Sequence, residues 1–358
     1  MSRVVVRVAT CIPRQSYTLD AKLAWLDAAL SAHPCELFLL PQEYVGGLYI
    51  MPTARHWSLD GLVEAFGAVA AKHGVHLGVG ACVRRPVADG PGATEEYLYL
   101  DDEGRLLGSH RKYALPSYDD VRTKGAGELV PEVSYQRRLL PVALPKLDLL
   151  VGTVFCWEVF SLSLWAGYAF RGVNLVAHPV KFAPRGWLKL ATDPESGVKG
   201  IVGFDQAPAS DEWQSRLQLA ARHEVLCPIA VSCNSWALGP KFMAWTGLLD
   251  PFIPARWLTE VPATAEAEAV VVTAIRPAYY TAVEHLHSAG AFAQHVGDLE
   301  GYQAWFPLKM HAKMRRLEAQ LIGDTTRLDV ALRDATARRQ KPTTYRRARK
   351  LLERTGRL

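Results

Sequence analysis

The chain has no stretch of about 18 uncharged apolar residues, which removes a membrane-spanning helix from the structures it can form. Its six cysteines, Cys11, Cys35, Cys82, Cys156, Cys227 and Cys233, include no CxxC pair and no partnering histidines at metal-ligand spacing. That scatter argues against both a zinc site and a disulfide framework, and it makes most of them reduced core thiols. The N-terminal MSRVVVRVATCIP has an arginine inside its apolar run and lacks a small-residue cleavage site, so it reads as a first strand rather than a secretory signal. A cytoplasmic location follows as the default. Internal repeats and low-complexity segments are also missing.

What is present is a folded composition, 49% hydrophobic and 22% charged, in 358 residues. This length suffices for one large domain with an appendage, or for two ordinary domains. The net charge of +5 hides an asymmetry: residues 309–358 carry 15 Lys plus Arg against 5 Asp plus Glu, leaving 26 against 31 in residues 1–308. The basicity belongs to the tail.

Hydrophobic periodicity predicts strands alternating with helices. Residues 4–12 read as a strand, 21–32 as a helix, and 37–43 (LFLLPQE) as a short apolar strand meeting a carboxylate. The helix LVEAFGAVAAKHG takes Ser58 or Asp60 as its cap and closes on Gly74. Strands follow at 75–83, 94–100 and 105–112, the last two joined by a DDEG turn. Residues 113–137 read as a long irregular loop, a kind of segment that is often functional. The pattern then resumes with strands in RRLLPVAL, LDLLVGTVF and VNLVAHPV, and with a helix in SLSLWAGYAFRG. A weakly patterned stretch spans 181–207, followed by a helix in SRLQLAARHEV and strands in CPIAVSCNS, FMAWTGLLD and EAVVVTAIRP. Alternation mixed with hairpins favours a mixed-sheet α/β layer architecture over residues 1–277. Residues 278–358 read as a basic, partly helical extension.

Three expected strand ends carry a reactive group: Glu43 after LFLLPQ, Lys112 after GSHR, and Cys156 within LLVGTVFCWEVF. In α/β sheets such groups gather where strands run out, because the sheet fixes them and the loops leave room for substrate. Singly, each has a structural reading as an ion-paired acid, a solvated lysine or a core thiol. Together they make a chemistry. A thiol attacks an amide or nitrile carbon as a thiolate, Glu43 can take its proton, and Lys112 can stabilise the thiolate and the oxyanion.

The order and contexts LFLLPQEYVGG, HRKYALP and VGTVFCWEVF resemble the nitrilase, or carbon-nitrogen hydrolase, superfamily. The resemblance extends through HPVKF, RLQLAARHEVLCPIAVSCNSW and PKFMAWTGLLDP, covering residues 3–275. It implies a four-layer αββα sandwich with mixed sheets, a homodimer or higher homo-oligomer, and no metal or organic cofactor. Glu43 would be the base, Lys112 the oxyanion cation and Cys156 the nucleophile, with the backbone N–H of Trp157 assisting Lys112. Tyr44, Trp157, His178 and Asn234 would contact a small-molecule amide, carbamoyl or nitrile substrate. For His178 the alternative is shaping the pocket loop, and for Trp157 simple packing. Glu158 is expected to make a supporting hydrogen bond.

Departures from the family pattern matter too. Many members have a further Glu after the lysine; here the candidates are Glu128, 16 residues past Lys112, and Asp119 or Asp120. The nitrile-cleaving branch typically has Asn after CWE, where this chain has Val159. A linear amide or N-carbamoyl compound is therefore the expected substrate, with a nitrile as the alternative. Competing readings are an acyl transferase, a catalytically silent scaffold, and nucleic-acid binding through the basic tail, which counterion release would drive. For the tail, wrapping a neighbouring subunit is weighed ahead of nucleic acid.

Overall fold

The computed structural model of the chain describes residues 4–16, 18–46, 57–87, 90–112, 128–129, 140–160, 162–181, 190–192, 199–201, 216–234, 239–251, 257–264, 266–278 and 280. The extension expected from 278, with its helices, and the loop carrying Asp119 and Asp120 lie almost entirely outside these residues.

The first sheet contains β1 (Val6–Ile12), β2 (Leu37–Leu39), β3 (His76–Val87), β4 (Gly90–Leu100), β5 (Leu106–Arg111) and the short β6 (Glu128–Leu129). The second contains β7 (Val142–Leu144), β8 (Leu149–Thr153) and β9 (Leu175–Lys181). A separate hairpin pairs β10 (Leu190–Thr192) with β11 (Lys199–Ile201), and β12 (Ile229–Asn234), β13 (Gly239–Leu249) and β14 (Trp257–Ala263) complete the second sheet. Finally β15 (Ala269–Ile275) returns to the first. The strand orders are β15-β1-β2-β3-β4-β5, with β6 on β4, and β14-β13-β12-β9-β8-β7. Both sheets are mixed: β1, β2 and β3 run parallel, as do β8, β9 and β12, and β6 is parallel to β4, while the other pairings in the two sheets are antiparallel.

Strand alternation sorts the first sheet's side chains into two cores. Val6, Val8, Ile12, Tyr97 and Tyr99 pack with Val151, Val176 and Val231 of the second sheet. Ala9, Cys11, Phe38, Leu98 and Leu100 pack instead with Leu26, Leu30, Leu62 and Phe66 from helices α1 (Leu19–Ala32) and α2 (Leu59–His73). On the far side, Trp165 and Tyr168 of α3 (Leu162–Phe170) join the second sheet's core, giving the α-β-β-α layering. Among the described residues no helix is long and apolar enough to cross a membrane.

The helix ends follow their sequence signals. Thr18 caps α1 by accepting from Ala21 N at 3.2 Å, and Ser58, rather than Asp60, caps α2 by accepting from Gly61 N at 3.1 Å. Gly74 closes α2 in the left-handed conformation, φ 61°.

Beyond β6 in the expected loop 113–137 and the β10–β11 hairpin in the weakly patterned 181–207, three further features depart from the sequence reading. The β3–β4 hairpin runs longer than expected, because its ladder continues through Arg84 and Pro86 to Val87 opposite Gly90. Strand β14 was not expected, since WLTEVPA alternates poorly; pairing with β13 supplies its stability. The helix in SRLQLAARHEV widens to a π-helix over Ala220–Val225 and stops at Leu226, φ 54°.

Candidate active site

Chain ends of both sheets meet at one place. After β2 the backbone of residues 40–45 runs on beside β3, tied by Leu40 N to Gly78 O at 2.8 Å, Val45 N to Gly80 O at 3.2 Å and Cys82 N to Val45 O at 3.0 Å. Gly80 permits this approach: a Cβ there would lie 2.2 Å from the Pro41 carbonyl oxygen. The turn leaves Glu43 at φ 49°, almost completely buried. Strand ends of the second sheet hold the same turn. The Asn234 amide at the end of β12 donates to Glu43 O at 3.3 Å and Gln42 O at 3.4 Å, and Lys181 N–H at the end of β9 donates to Gln42 Oε1 at 3.2 Å. These two residues are register partners in the β9–β12 ladder.

Cys156 lies just past β8, at φ 31°, and opens the 3-10 helix Cys156–Phe160. Its thiol donates to the Lys181 carbonyl at 3.7 Å. The sharp turn is supported from beneath. Glu158 Oε2 accepts from Phe155 N–H at 2.9 Å and lies 3.5 Å from His110 Nε2, while His110 stacks on Phe155. The Trp165 indole N–H donates to Val159 O at 2.8 Å, and Tyr168 O–H donates to Thr153 O at 2.7 Å. Glu158 thus has the supporting hydrogen bond expected of it.

Lys112 follows β5 and is 1% exposed, with its ammonium 2.9 Å from Glu95 Oε2. Glu95 is equally buried, and its Oε1 has no hydrogen-bond partner among the described residues. Burial pulls the Lys112 ammonium down, but Glu95, Cys156 and Glu43 together outweigh it and leave its pKa raised. Burial also raises the Glu95 carboxyl, reinforced by Glu43 and opposed by Lys112 and Lys181. The pair therefore holds both of its protons more tightly than free groups would.

A second buried lysine completes the cluster. Lys181 directs its ammonium to Glu43 Oε2, forming an ion pair closed from solvent. Cys82, whose thiol burial pushes well above its ordinary range, feels Glu43, Glu95, Lys181 and Lys112 as well. Glu43, Glu95, Lys112, Lys181, Cys82 and Cys156 therefore form one electrostatic unit between the sheets.

Of the other residues singled out in the sequence, Asn234 reaches the cluster, gripping the Glu43 turn. Tyr44 does not: its hydroxyl donates to Lys22 O at 2.7 Å and its ring packs on Trp25 and Phe66 beneath the outer helices. The chain alternates in direction at that turn, so the residue after Glu43 faces the opposite way. His178 is fully buried, with Nδ1 2.5 Å from Val154 O, and burial lowers its pKa to about 3. It ties β9 to the segment leading into Cys156. Glu128 is placed only as backbone, in β6 opposite Gly92 of β4, and the side chain of Trp157 lies outside what the structure describes.

Glu95 and Lys181 were not anticipated. The signals were available: TEEYLYL puts Glu95 on the same inward face as Tyr97 and Tyr99, and HPVKF ends an entirely buried strand on a lysine. A charge in such a position calls for a partner that the sequence does not name.

Comparison with known proteins agrees with this architecture. Among solved structures the chain is similar to an amidase from Nesterenkonia sp. AN1 (18% identity, TM-score 0.54, covering 78% of this chain and 94% of that one). It is also similar to the C. elegans NitFhit protein (16%, 0.53, 81% and 65%) and to a carbon-nitrogen hydrolase from Helicobacter pylori G27 (16%, 0.52, 78% and 93%). At these identities the likeness is one of fold. No curated protein matches the sequence. The carbon-nitrogen hydrolase profile, however, matches residues 7–196, more than half of the chain and including Glu43, Lys112 and Cys156, so the protein belongs to the carbon-nitrogen hydrolase family.

Proposed function

We propose that the protein hydrolyses a linear amide or an N-carbamoyl compound through a thioester on Cys156. The thiol proton passes to Glu43 as sulfur bonds to the substrate carbon, and the C=O electron pair moves to oxygen. Lys112 and the Trp157 backbone N–H hold that oxyanion. As the pair returns and the C–N bond breaks, Glu43 gives its proton to the departing nitrogen. Water then attacks the thioester, Glu43 takes one of its protons, and that proton goes back to sulfur as the C–S bond breaks.

The observation that carries this reading is the convergence on Lys181. Its carbonyl accepts from the Cys156 thiol at 3.7 Å while its ammonium pairs with Glu43, which brings nucleophile and base to a single residue. Charge supports the division of roles, because Lys112 senses both Cys156 and Glu43. The neighbouring amidase fold supports the substrate class: a mutant of the Nesterenkonia enzyme adds the acetamide moiety of fluoroacetamide at its active-site cysteine. The hydrolase domain is proposed to span residues 1–277, since β15 returns to pair along the whole of β1 and closes the first sheet.

The test is a screen of linear amides, N-carbamoyl compounds and nitriles for ammonia release, with intact-mass trapping by fluoroacetamide. Activity and adduct should both disappear in Cys156→Ala. Activity that survives this substitution would overturn the mechanism, and turnover confined to nitriles would overturn the substrate class.

A further inference from the structure

We infer that Lys181 is a positioning residue for the catalytic base: it holds Glu43 in place and supplies the countercharge against its carboxylate inside a buried site. This rests on the role proposed for Glu43 above.

The geometry points to it in three ways. Lys181 is fixed at its backbone by both neighbours it serves, donating from N–H to Gln42 Oε1 at 3.2 Å and accepting at its carbonyl from the Cys156 thiol at 3.7 Å. Its side chain and that of Glu43 are 8% and 1% exposed, so the pair is removed from the screening that weakens surface ion pairs. Its place is also set by two flanking strands, because β9 lies between β8, which leads to Cys156, and β12, which ends on Asn234. A lysine here is therefore held by the sheet and does not reach in from a loop.

The groups facing Glu43 fix the sign of the effect. Lys181 comes from β9, Lys112 from the end of β5, Glu95 from β4, Cys82 from β3, and Cys156 from the turn after β8. Lys112 pairs with Glu95 at 2.9 Å, and Lys181 is in direct contact with the base. A buried carboxylate beside another acid would otherwise tend to take up a proton and lose its capacity to accept one from the thiol.

The experiment uses the full chain and iodoacetamide, which needs no known substrate. Alkylation of Cys156, in which the Sγ–C bond forms as iodide leaves, is followed by peptide mass spectrometry as a function of pH. In the wild type the rate should fall along an acidic limb belonging to the coupled Glu43–Cys156 pair. Lys181→Met should move that limb upward by about 1–3 pH units, the range for loss of an opposite charge at contact. Lys181→Arg should return it toward the wild-type position. Should the Met variant fail to fold, as judged by its thermal melt, Lys181→Gln carries the same prediction, since loss of packing alone would not displace a limb. A limb that stays in place in the Met or Gln variant, while Glu43→Gln displaces it, would overturn the inference and leave the role of Glu43 standing. A Glu43→Gln profile identical to wild type would overturn both.

Discussion

Replacing Glu95 by Gln removes one charge from the buried cluster while keeping a side-chain oxygen that can accept from Lys112. The two groups are 2.9 Å apart, and their side chains are 0% and 1% exposed. At an effective dielectric constant of about 20, the attraction is roughly 6 kcal/mol. Part of this offsets the desolvation of both ions, and removing one partner of a buried pair costs about 3–5 kcal/mol. For a domain this large, roughly 2–4 °C of melting temperature is lost per kcal/mol, so E95Q should melt roughly 6–20 °C lower. Urea unfolding should show a lower midpoint at unchanged slope. The pH dependence has a definite sign. In the wild type the raised Lys112 contributes stability that is fully present below its unfolded value of 10.5 and is lost only as pH rises through the folded value. In E95Q much of what opposes burial is gone, the unfolded chain binds the proton more tightly, and stability rises with pH. The difference between the two proteins should therefore narrow from pH 7 towards pH 10. Glu95→Leu combined with Lys112→Met should recover much of the loss, because a packed apolar pair substitutes well for a buried ion pair. A cost below about 1 kcal/mol, the range of an exposed pair, or a double variant as unstable as the two singles combined, would refute the reasoning.

Three further outcomes are expected. His178, lowered to about 3 by burial, stays neutral in the fold while the unfolded chain takes up a proton below about pH 6.5. Native stability should fall with acidification by up to about 1.4 kcal/mol per pH unit between those values, and His178→Gln should flatten that slope in urea titrations. In Gly80→Ala the new methyl would meet the Pro41 carbonyl oxygen at 2.2 Å, so the backbone carrying Glu43 must shift. Overpacking of this kind costs about 1–3 kcal/mol, and the acidic limb of Cys156 labelling should be displaced even where the variant remains folded. Ser58→Ala removes the cap that accepts from Gly61 N at 3.1 Å and should cost about 1 kcal/mol, with Cys156 reactivity unchanged because α2 lies on the far side of the first sheet.

The sequence by itself determined the alternation of strands and helices, the start of α2 at Ser58 or Asp60 and its stop at Gly74, and the three positions where a reactive group follows an apolar strand. Those signals are local: period, cap chemistry and a polar residue at the end of a buried run act within a few residues of chain. Strand β14 was hidden because its stability comes from pairing with β13 and not from its own pattern. Tyr44, next to Glu43 in sequence, faces the outer helices, while Lys181, 138 residues away from Glu43, lies against it. Only the tertiary structure decided which charges would be partners. A buried charge requires a countercharge, but the requirement can be met by any strand that the sheet order brings within reach, and strand order is a property of the whole chain. LLVGTVFCWEVF announced a thiol at a turn; the sandwich decided that this thiol would meet the Lys181 carbonyl and the charge of Lys112.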